Sequence, residues 1–360
     1  MNRKKLIAFS ISLAMTVVPV TPAAAAGAEQ NTEGLQNAVL DLEFENSLED
    51  SSGKGNNGTL SSGEAEYVDG VVGKGLKMNG SSYVNLGNST DLQPENLTLS
   101  FWIRPDSDMK GEELISWNKN EWYTDGWYLS SENDNTPLTL SVGPAKTNGQ
   151  PYRVSVSGKR SEFLPTGEWT HIAVTYDKDS KEICFYRNGV KCSTVTTYGI
   201  SGESTGVLGS DATMEKSIGY NGPKYKGAYL KASLDEYQLY NDVATPEEVI
   251  ALYEESGQTF DRKAVAQADL DKISIPETTQ ENLSLPTTGE SGSVISWSSD
   301  NEAMVAADGT VVRPGVGEKD VTVTLTAEAS YLNGEKVTKT YKVTVTAKQE
   351  INITTSSIMG

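Results

Sequence analysis

The sequence predicts an all-β protein made of two β-sandwiches. Short apolar runs alternate with polar residues at a period near two, as in residues 97–104 and 171–176, which indicates strands buried on one face. Gly, Asn, Asp and Ser separate these runs, as is typical of antiparallel hairpins. A polar stretch at 258–263 then divides the chain into a larger and a smaller strand-rich block.

The larger block covers residues 38–256. Its length favours a sandwich, because two sheets are needed to bury the inner faces of so many strands. One helix closes it: Thr245 is the predicted N-cap, Pro246 takes the first helical position and Glu248 completes a capping box. Gly257 is expected to end this helix.

The smaller block covers residues 264–348 and has the size of an immunoglobulin domain. Residues 321–326 and 341–346 alternate strictly, with a hairpin turn predicted at 333–334. The block contains no cysteine, so its apolar core alone must stabilise it. Residues 349–360 show no pattern and are predicted to be a flexible tail.

The N-terminus has the layout of a secretory signal peptide over residues 1–26. Arg3, Lys4 and Lys5 precede an apolar run at 6–20, and small residues follow at 23–26. A membrane anchor is the weaker interpretation, because spanning a bilayer takes roughly 20 apolar residues. We therefore expect a secreted protein, extracellular or at the cell surface.

The formal net charge of −19 restricts the partners. Nucleic acid and anionic membrane surfaces would be repelled by so acidic a protein. Neutral glycans are compatible with this charge.

Cys184 and Cys192 flank the turn residues Asn188 and Gly189. A three-residue loop with a bulge at Gly189 would bring the cysteines opposite each other and allow a disulfide. A two-residue loop would leave them one register step apart, as free thiols. The sequence leaves both alternatives open, and either is structural.

Phrases spread over the first block resemble the laminin-G-like, concanavalin A-like jelly roll of secreted bacterial proteins. The resemblance implies a concanavalin A-like jelly-roll sandwich, and the order of the phrases makes it specific. The matching phrases are LEFENSLEDSSGKGNNGT (42–59), GLKMNGSSYVNLG (75–87), LTLSFWIRP (97–105), EWTHIAVTYD (168–177), FYRNG (185–189) and LDEYQLYN (234–241).

The second block resembles the atrophied bacterial immunoglobulin-like domains that accompany secreted glycoside hydrolases, which implies a smaller immunoglobulin-like β-sandwich. In such proteins the pair of domains lies beside a catalytic domain of the arabinanase or xylosidase kind. The resemblance implies a non-catalytic, carbohydrate-binding protein that recognises plant cell-wall polysaccharide such as arabinan or xylan. The matching phrases are LSLP (283–286), ISWSSD (295–300) and DGTVVRP (308–314).

Glycan binding requires exposed aromatic rings and a few polar groups for the sugar hydroxyls. A polar, aromatic segment at 116–128 and a second polar loop at 219–225 supply both. For any single ring, packing across a loop is the alternative. The predicted carbohydrate-binding residues are Trp122, Tyr123, Asn118, Asp125, Tyr220 and Tyr225.

A structural calcium ion is a further expectation, because Ca²⁺ takes six to eight oxygen ligands. The resemblance implies an ion that ties the opening loop to the closing strand. Asx turns around Gly53 and Gly58 are an equal alternative for the loop residues. The predicted ligands are Glu45, Asp50, Asn57 and Asp235.

An enzymatic role is not expected. Asp41, Glu43 and Glu45 alternate as on one strand face, which suggests a retaining glycosidase pair, but the order of acids differs from the hydrolase pattern. His171, the only histidine, lies at the start of an apolar strand and is interpreted as a framework residue. Alternatives to glycan binding are a surface adhesion or spacer protein that binds a protein, and a glycosidase using Glu43 and Glu45.

Overall fold

The computed structural model describes residue 35 and residues 38–106, 113–119, 126–143, 152–192, 195–198, 215–220 and 229–350. Within them the strands form two eight-stranded sheets in the first block and one four-stranded sheet in the second. The all-β class and the two sandwich domains are confirmed. The predicted signal peptide and the C-terminal tail from residue 351 lie outside the described residues.

The elements follow one another along the chain as short strands with few helices. Within the described ranges the α-helices are α1 (Arg160–Phe163), α2 (Pro246–Glu255) and α3 (Arg262–Lys272), and a 3₁₀ turn spans Thr90–Leu92. The strands are β1 (Ala38–Leu42), β2 (Thr59–Leu60), β3 (Glu66–Asp69), β4 (Lys74–Lys77), β5 (Val84–Asn85), β6 (Leu97–Pro105), β7 (Glu113–Lys119), β8 (Gly126–Ser131), β9 (Thr139–Val142), β10 (Tyr152–Val156), β11 (Thr170–Tyr176), β12 (Ile183–Arg187), β13 (Val190–Lys191), β14 (Val195–Tyr198), β15 (Ser217–Ile218), β16 (Ala232–Tyr240), β17 (Thr278–Thr279), β18 (Val294–Ser299), β19 (Val321–Ser330) and β20 (Val337–Val345).

The first domain is a sandwich of two sheets. The first sheet has the order β13-β12-β11-β6-β16-β4-β3, with β1 also paired to β16, and the second has the order β14-β10-β9-β8-β7-β15-β5-β2. Alternate residues of both sheets meet in one core, which is the main stabilising contact of the domain. Fully buried members include Leu99, Phe101, Ile172, Phe185, Trp127 and Leu140.

Helix α2 packs on the outer face of the first sheet, away from this core. Its Val249 joins Ala173, Cys184 and Tyr186 of that face in a separate apolar cluster. The predicted capping box is confirmed, since Thr245 Oγ1 accepts the Glu248 N–H and the Glu248 carboxylate accepts the Thr245 N–H. Such caps stabilise a helix by about 1 kcal/mol.

The hairpin β12–β13 decides the alternative for the cysteines. Arg187 pairs with Val190, so the loop has two residues, and Asn188 and Gly189 both have positive φ, at 49° and 80°. Cys184 therefore contacts the cluster under α2, whereas Cys192 packs toward the core between the sheets. The prediction of a disulfide between Cys184 and Cys192 is wrong, because both are free thiols on opposite faces of the hairpin.

The second domain contains the sheet β17-β20-β19-β18. Leu283 and Val305, which lie outside the strands of this sheet, pack on Val323 of β19 and Val343 of β20. The turn predicted at 333–334 joins β19 to β20, and Asn333 there has φ 57°.

Helix α3 opens the second domain. The stretch 258–263 was predicted as a linker, but α3 begins at Arg262, where the Asp261 side chain accepts the Ala264 N–H. On this helix Asp269 is buried and accepts the N–H groups of Ser291 and Ser293, which fastens the 289–293 loop. The Leu270 carbonyl accepts hydrogen bonds from Lys339 and Tyr341 at the end of α3.

The hairpin register predicts the redox state of the cysteines. We expect both thiols to react with iodoacetamide when the protein is unfolded without reductant, because neither is in a disulfide. Mass spectrometry should show two added alkyl groups. A mass that changes only after reduction would show that the register described above is wrong.

Candidate functional site

A row of paired positions crosses the outer face of the second sheet. Neighbouring positions such as Val84, Ile218 and Leu140 point into the core, so the alternate positions face outward. In strand order the described side chains of the row are those of Thr59, Asn85, Ser217, Tyr128, Ser141 and Arg153.

The middle of this outer face is polar and closed to solvent. Tyr128, Ser130 and Ser141 are fully buried, and Thr139 shares a 2.7 Å hydrogen bond with Ser155. The Ser130 and Ser141 hydroxyls have no hydrogen-bond partner within the described part of the chain. Solvent-accessible groups of the described residues therefore lie toward the two ends of the row.

Three tyrosines stack at the β5–β15 end of the row. Tyr220 and Tyr229 are parallel, with ring centroids 4.3 Å apart at 9°, and Tyr83 stacks on Tyr220 at 5.2 Å and 25°. Tyr220 is 7% exposed, whereas Tyr83 and Tyr229 are half-buried. We call these residues the tyrosine stack; it offers aromatic surface beside the polar end of the row.

Backbone contacts fix the tyrosine stack. The Ser217 hydroxyl donates to the Tyr220 carbonyl at 2.6 Å, and the Leu230 N–H donates to the Gly219 carbonyl at 3.0 Å. Burial raises the pKa of Tyr83 and Tyr220, so both phenols are neutral near pH 7. The Asn85 amide lies in the same row, where its Oδ1 accepts the Gly87 N–H.

The structure describes only part of the predicted glycan site. Trp122, Tyr123, Asp125 and Tyr225 lie outside the described residues, and of Asn118 only the backbone is described, in β7. Tyr220 is present but sandwiched, as the alternative of packing across a loop predicts. Its partners Tyr83 and Tyr229 were missed. Tyr83 directly precedes the two-residue strand β5, and Tyr229 precedes β16, so neither belongs to an alternating apolar pattern.

The predicted calcium ligands of the opening loop are engaged elsewhere. Asp50 accepts N–H groups of Asp41, Ser52 and Asn56 through its two carboxylate oxygens. Asn57 Oδ1 accepts the Asp50 N–H at 2.8 Å. Several hydrogen bonds lower the Asp50 pKa against the raising effect of burial. This is the Asx-turn arrangement that the sequence left as the alternative.

Asp235 serves a second, separate turn. It is fully buried, and its Oδ2 accepts the N–H groups of Val71 and Val72 at 2.7 and 3.0 Å. Glu45 lies against Gly73 of this turn. Among the described residues no three His, Cys, Asp or Glu side chains are arranged to hold a metal. The structure thus places Glu45 and Asp235 at one turn and Asp50 and Asn57 in another, and the calcium ion stays a prediction.

The acids of the opening segment do not alternate on one strand face. Strand β1 ends at Leu42, and Phe44 takes a left-handed conformation with φ 54°. Burial, reinforced by neighbouring carboxylates, raises the pKa of Glu236 to about 8. Burial likewise raises the pKa of Asp235 to about 6. The strand-face basis for a Glu43/Glu45 pair is thus wrong, although Glu43 and Glu45 are among the carboxylates that act on Glu236.

A small pocket lies between the first sheet and α2. In it Ser100 Oγ lies 2.9 Å from His171 Nε2, with both residues buried. Burial lowers the pKa of His171 to about 3, so the ring is neutral at physiological pH. A closed, neutral histidine packed against Trp102 and Tyr253 suits the framework role predicted for it. The lining residues are Ser100, Trp102, His171, Glu236, Gln238, Leu252, Glu255 and Ser256.

Family models match both domains. Residues 78–250 match the concanavalin A-like lectin/glucanases superfamily, and residues 263–348 match the atrophied bacterial Ig domain. The chain is a laminin-G-like domain followed by an atrophied bacterial Ig domain. Both predicted resemblances are thereby confirmed. We refer to the two parts as the lectin-like and Ig-like domains.

A curated enzyme matches part of the chain. An alpha-L-arabinofuranosidase of Bifidobacterium longum subsp. longum is 38% identical over 110 residues, which cover 24% of this chain and 10% of that protein. The chain thus spans about a tenth of the length of the curated relative it matches.

Two solved structures resemble the chain. Domain 4 of a GH43 extracellular arabinanase from Geobacillus stearothermophilus, in complex with arabinotriose, is 22% identical, with a TM-score of 0.47 over 61% of this chain and 100% of that domain. The binding domain of Paraclostridial Mosquitocidal Protein 1 is 23% identical, with a TM-score of 0.47 over 61% of this chain and 52% of that chain.

In the described ranges no helix combines the length and apolarity needed to cross a bilayer.

The buried His171 predicts acid sensitivity. Its pKa is about 3 in the folded protein and about 6.5 when unfolded. The unfolded state therefore binds more protons below pH 6.5, and stability falls as the pH drops from 6.5 toward 3, by up to roughly 1.4 kcal/mol per pH unit. Urea unfolding of the wild type and His171→Gln at several pH values measures this effect.

The histidine variant should show a weaker loss of stability between pH 6.5 and pH 5. Asp235, whose pKa is raised to about 6, titrates there in both proteins, so the difference between the two stability curves measures the effect of His171. Because the chain has one histidine, no second imidazole contributes. Parallel stability curves for the two proteins would contradict a buried, neutral His171.

Proposed function

We propose that the chain is a non-catalytic carbohydrate-binding protein whose lectin-like domain holds a neutral polysaccharide at the tyrosine stack. The observation that carries this proposal is the stack itself, with Tyr83 and Tyr229 accessible on either side of a buried Tyr220. Aromatic planes suit the C–H faces of sugars, and the central ring holds the outer two in place.

Polar groups beside the stack suit sugar hydroxyls. Asn85 Oδ1 is occupied by the Gly87 N–H, which leaves the amide Nδ2 to donate to a ligand. Thr59 pairs with Asn85 and is exposed. The first positive side chain of the row is Arg153 on β10, and four strands separate β10 from β5, which carries Asn85. Together with the net charge of −19 this favours a neutral ligand.

The family match supports the ligand class, since the lectin-like domain belongs to the concanavalin A-like lectin/glucanases superfamily. The arabinofuranosidase relative supports an arabinose-containing polysaccharide such as arabinan, with xylan as the other member of the predicted class. The same relative supports an accessory role beside a glycoside hydrolase. Export rests on the signal peptide predicted at residues 1–26.

Removal of an outer ring of the stack should weaken glycan binding. We expect Tyr83→Ala and Tyr229→Ala each to raise the Kd for soluble arabinan or arabinoxylan about three- to tenfold, since one aromatic contact contributes about 0.5–1.5 kcal/mol. Affinity electrophoresis or calorimetry measures the change. Tyr67→Ala is the matched control, because Tyr67 is a half-buried tyrosine in β3 of the other sheet.

Two outcomes separate the parts of this proposal. Binding that is lost in Trp122→Ala but unchanged in both stack variants would move the site away from the tyrosine stack. No retention of the wild type by arabinan, xylan, β-glucan or fructan would contradict glycan binding itself. Reducing-sugar release from any of these polymers would contradict the non-catalytic role.

A further inference from the structure

The lectin-like and Ig-like domains share one apolar core at their junction. Ile250 of α2 belongs to the same buried cluster as Ala266 and Leu270 of α3 and as Ala327 and Ala329 of β19. Val190 and Tyr253 of the lectin-like domain pack against this cluster. The Ig-like domain therefore completes part of its own core with residues of the lectin-like domain.

Phe260 lies at the centre of the junction. It is 8% exposed although it lies between two helices rather than within one. Its ring contacts Tyr253 at 6.2 Å in an edge-on arrangement and Tyr331 at 6.0 Å. Arg262 places its guanidinium 5.8 Å from the same ring. One aromatic side chain thus contacts both domains.

The aromatic contacts continue into the lectin-like domain. Tyr253 stacks on Trp102 of β6 at 5.5 Å and meets the buried His171 at 5.7 Å. A chain of rings therefore leads from the first sheet through α2 to Tyr331 of the Ig-like domain, which is 2% exposed.

The connection between the domains is short and tied down. Helix α2 ends at Glu255 and α3 begins at Arg262. The Phe260 N–H donates to the Glu254 carboxylate at 3.1 Å, and Asp261 caps α3. A flexible linker of the Gly/Ser kind would lack such bonds.

Two glycines allow the close approach. At Gly189, where φ is 80°, a Cβ atom would lie 2.8 Å from the Phe260 ring. At Gly334, a Cβ atom would lie 2.7 Å from the Cβ of Arg262. Gly189 thus lets the lectin-like hairpin approach Phe260, whereas Gly334 lets the β19–β20 turn approach the start of α3 within the Ig-like domain.

We infer that the two domains form one rigid, cooperatively unfolding unit through the Phe260 junction. The Ig-like domain is then a fixed extension of the lectin-like domain, attached on the side of its first sheet. This inference goes beyond the proposed function, because it holds whether or not the protein binds glycan.

The test compares two variants with matched controls in the full chain. Gly189→Ala places a methyl group against Phe260, whereas Gly167→Ala has the same backbone strain, with φ 79°, and nothing within 4 Å of the new methyl. Phe260→Ala removes the shared ring, whereas Phe163→Ala removes a ring that packs only within the lectin-like domain.

Scanning calorimetry and residual dipolar couplings report coupling separately from stability. The wild type should unfold in one transition with equal calorimetric and van't Hoff enthalpies, and both domains should give the same alignment tensor. Phe260→Ala and Gly189→Ala should split the transition in two and make the tensors differ. The controls should lower Tm, by about 2–4 °C per kcal/mol lost, and keep one transition and one tensor.

Several results would overturn the inference. Two transitions or two tensors in the wild type would show that the domains are independent. A single transition and tensor retained in Phe260→Ala and Gly189→Ala would show that the junction does not couple the domains. If Phe260→Ala fails to fold, Gly189→Ala and its control still decide the question.

Discussion

The docking of α2 on the outer face of the first sheet is the interaction on which the rest of the molecule depends. On one side, Val249 covers Ala173 and Cys184 of that face. On the other side, Ile250 enters the core shared with the Ig-like domain. The helix can take this place because the capping box fixes its first turn and Gly257 ends it before the junction. One amphipathic helix thereby packs on the lectin-like sandwich and contributes to the core that the Ig-like domain shares with it.

The same docking determines where a ligand can meet the protein. Since α2 packs on the outer face of the first sheet, the solvent-accessible end of the second sheet lies on the opposite side of the sandwich. The tyrosine stack lies at one end of that sheet, beside β5 and β15. The first sheet thus contacts α2 and the Ig-like domain, whereas the second sheet carries the tyrosine stack.

Much of the fold could be predicted from the sequence, because its signals are local. The alternation in β6, β11, β19 and β20 follows from one buried face, and the capping box of α2 is complete within four residues. Helix α3 was missed because its apolar stripe is narrow: only Ala266 and Leu270 are its buried apolar residues. Whether the cysteines can pair depends on the length of one turn. Asn188 and Gly189 are compatible with a two-residue or a three-residue loop, so the sequence did not determine it.

The site was less predictable, because it arises from contacts between distant segments. Tyr83 and Tyr229 are 146 positions apart and meet only through Tyr220. Two of the acids predicted as metal ligands, Asp50 and Asp235, accept hydrogen bonds from backbone N–H groups, and the calcium ion stays a prediction. Sequence chemistry identified the right residue types there but not what they contact.

The two thiols on opposite faces of the β12–β13 hairpin have a consequence for biogenesis. A folded molecule cannot join them, because a β-sheet layer separates Cys184 from Cys192. An oxidising compartment would therefore not join these two thiols in the folded chain. An internal cystine in this protein would be a mark of a chain oxidised before it reached its native hairpin.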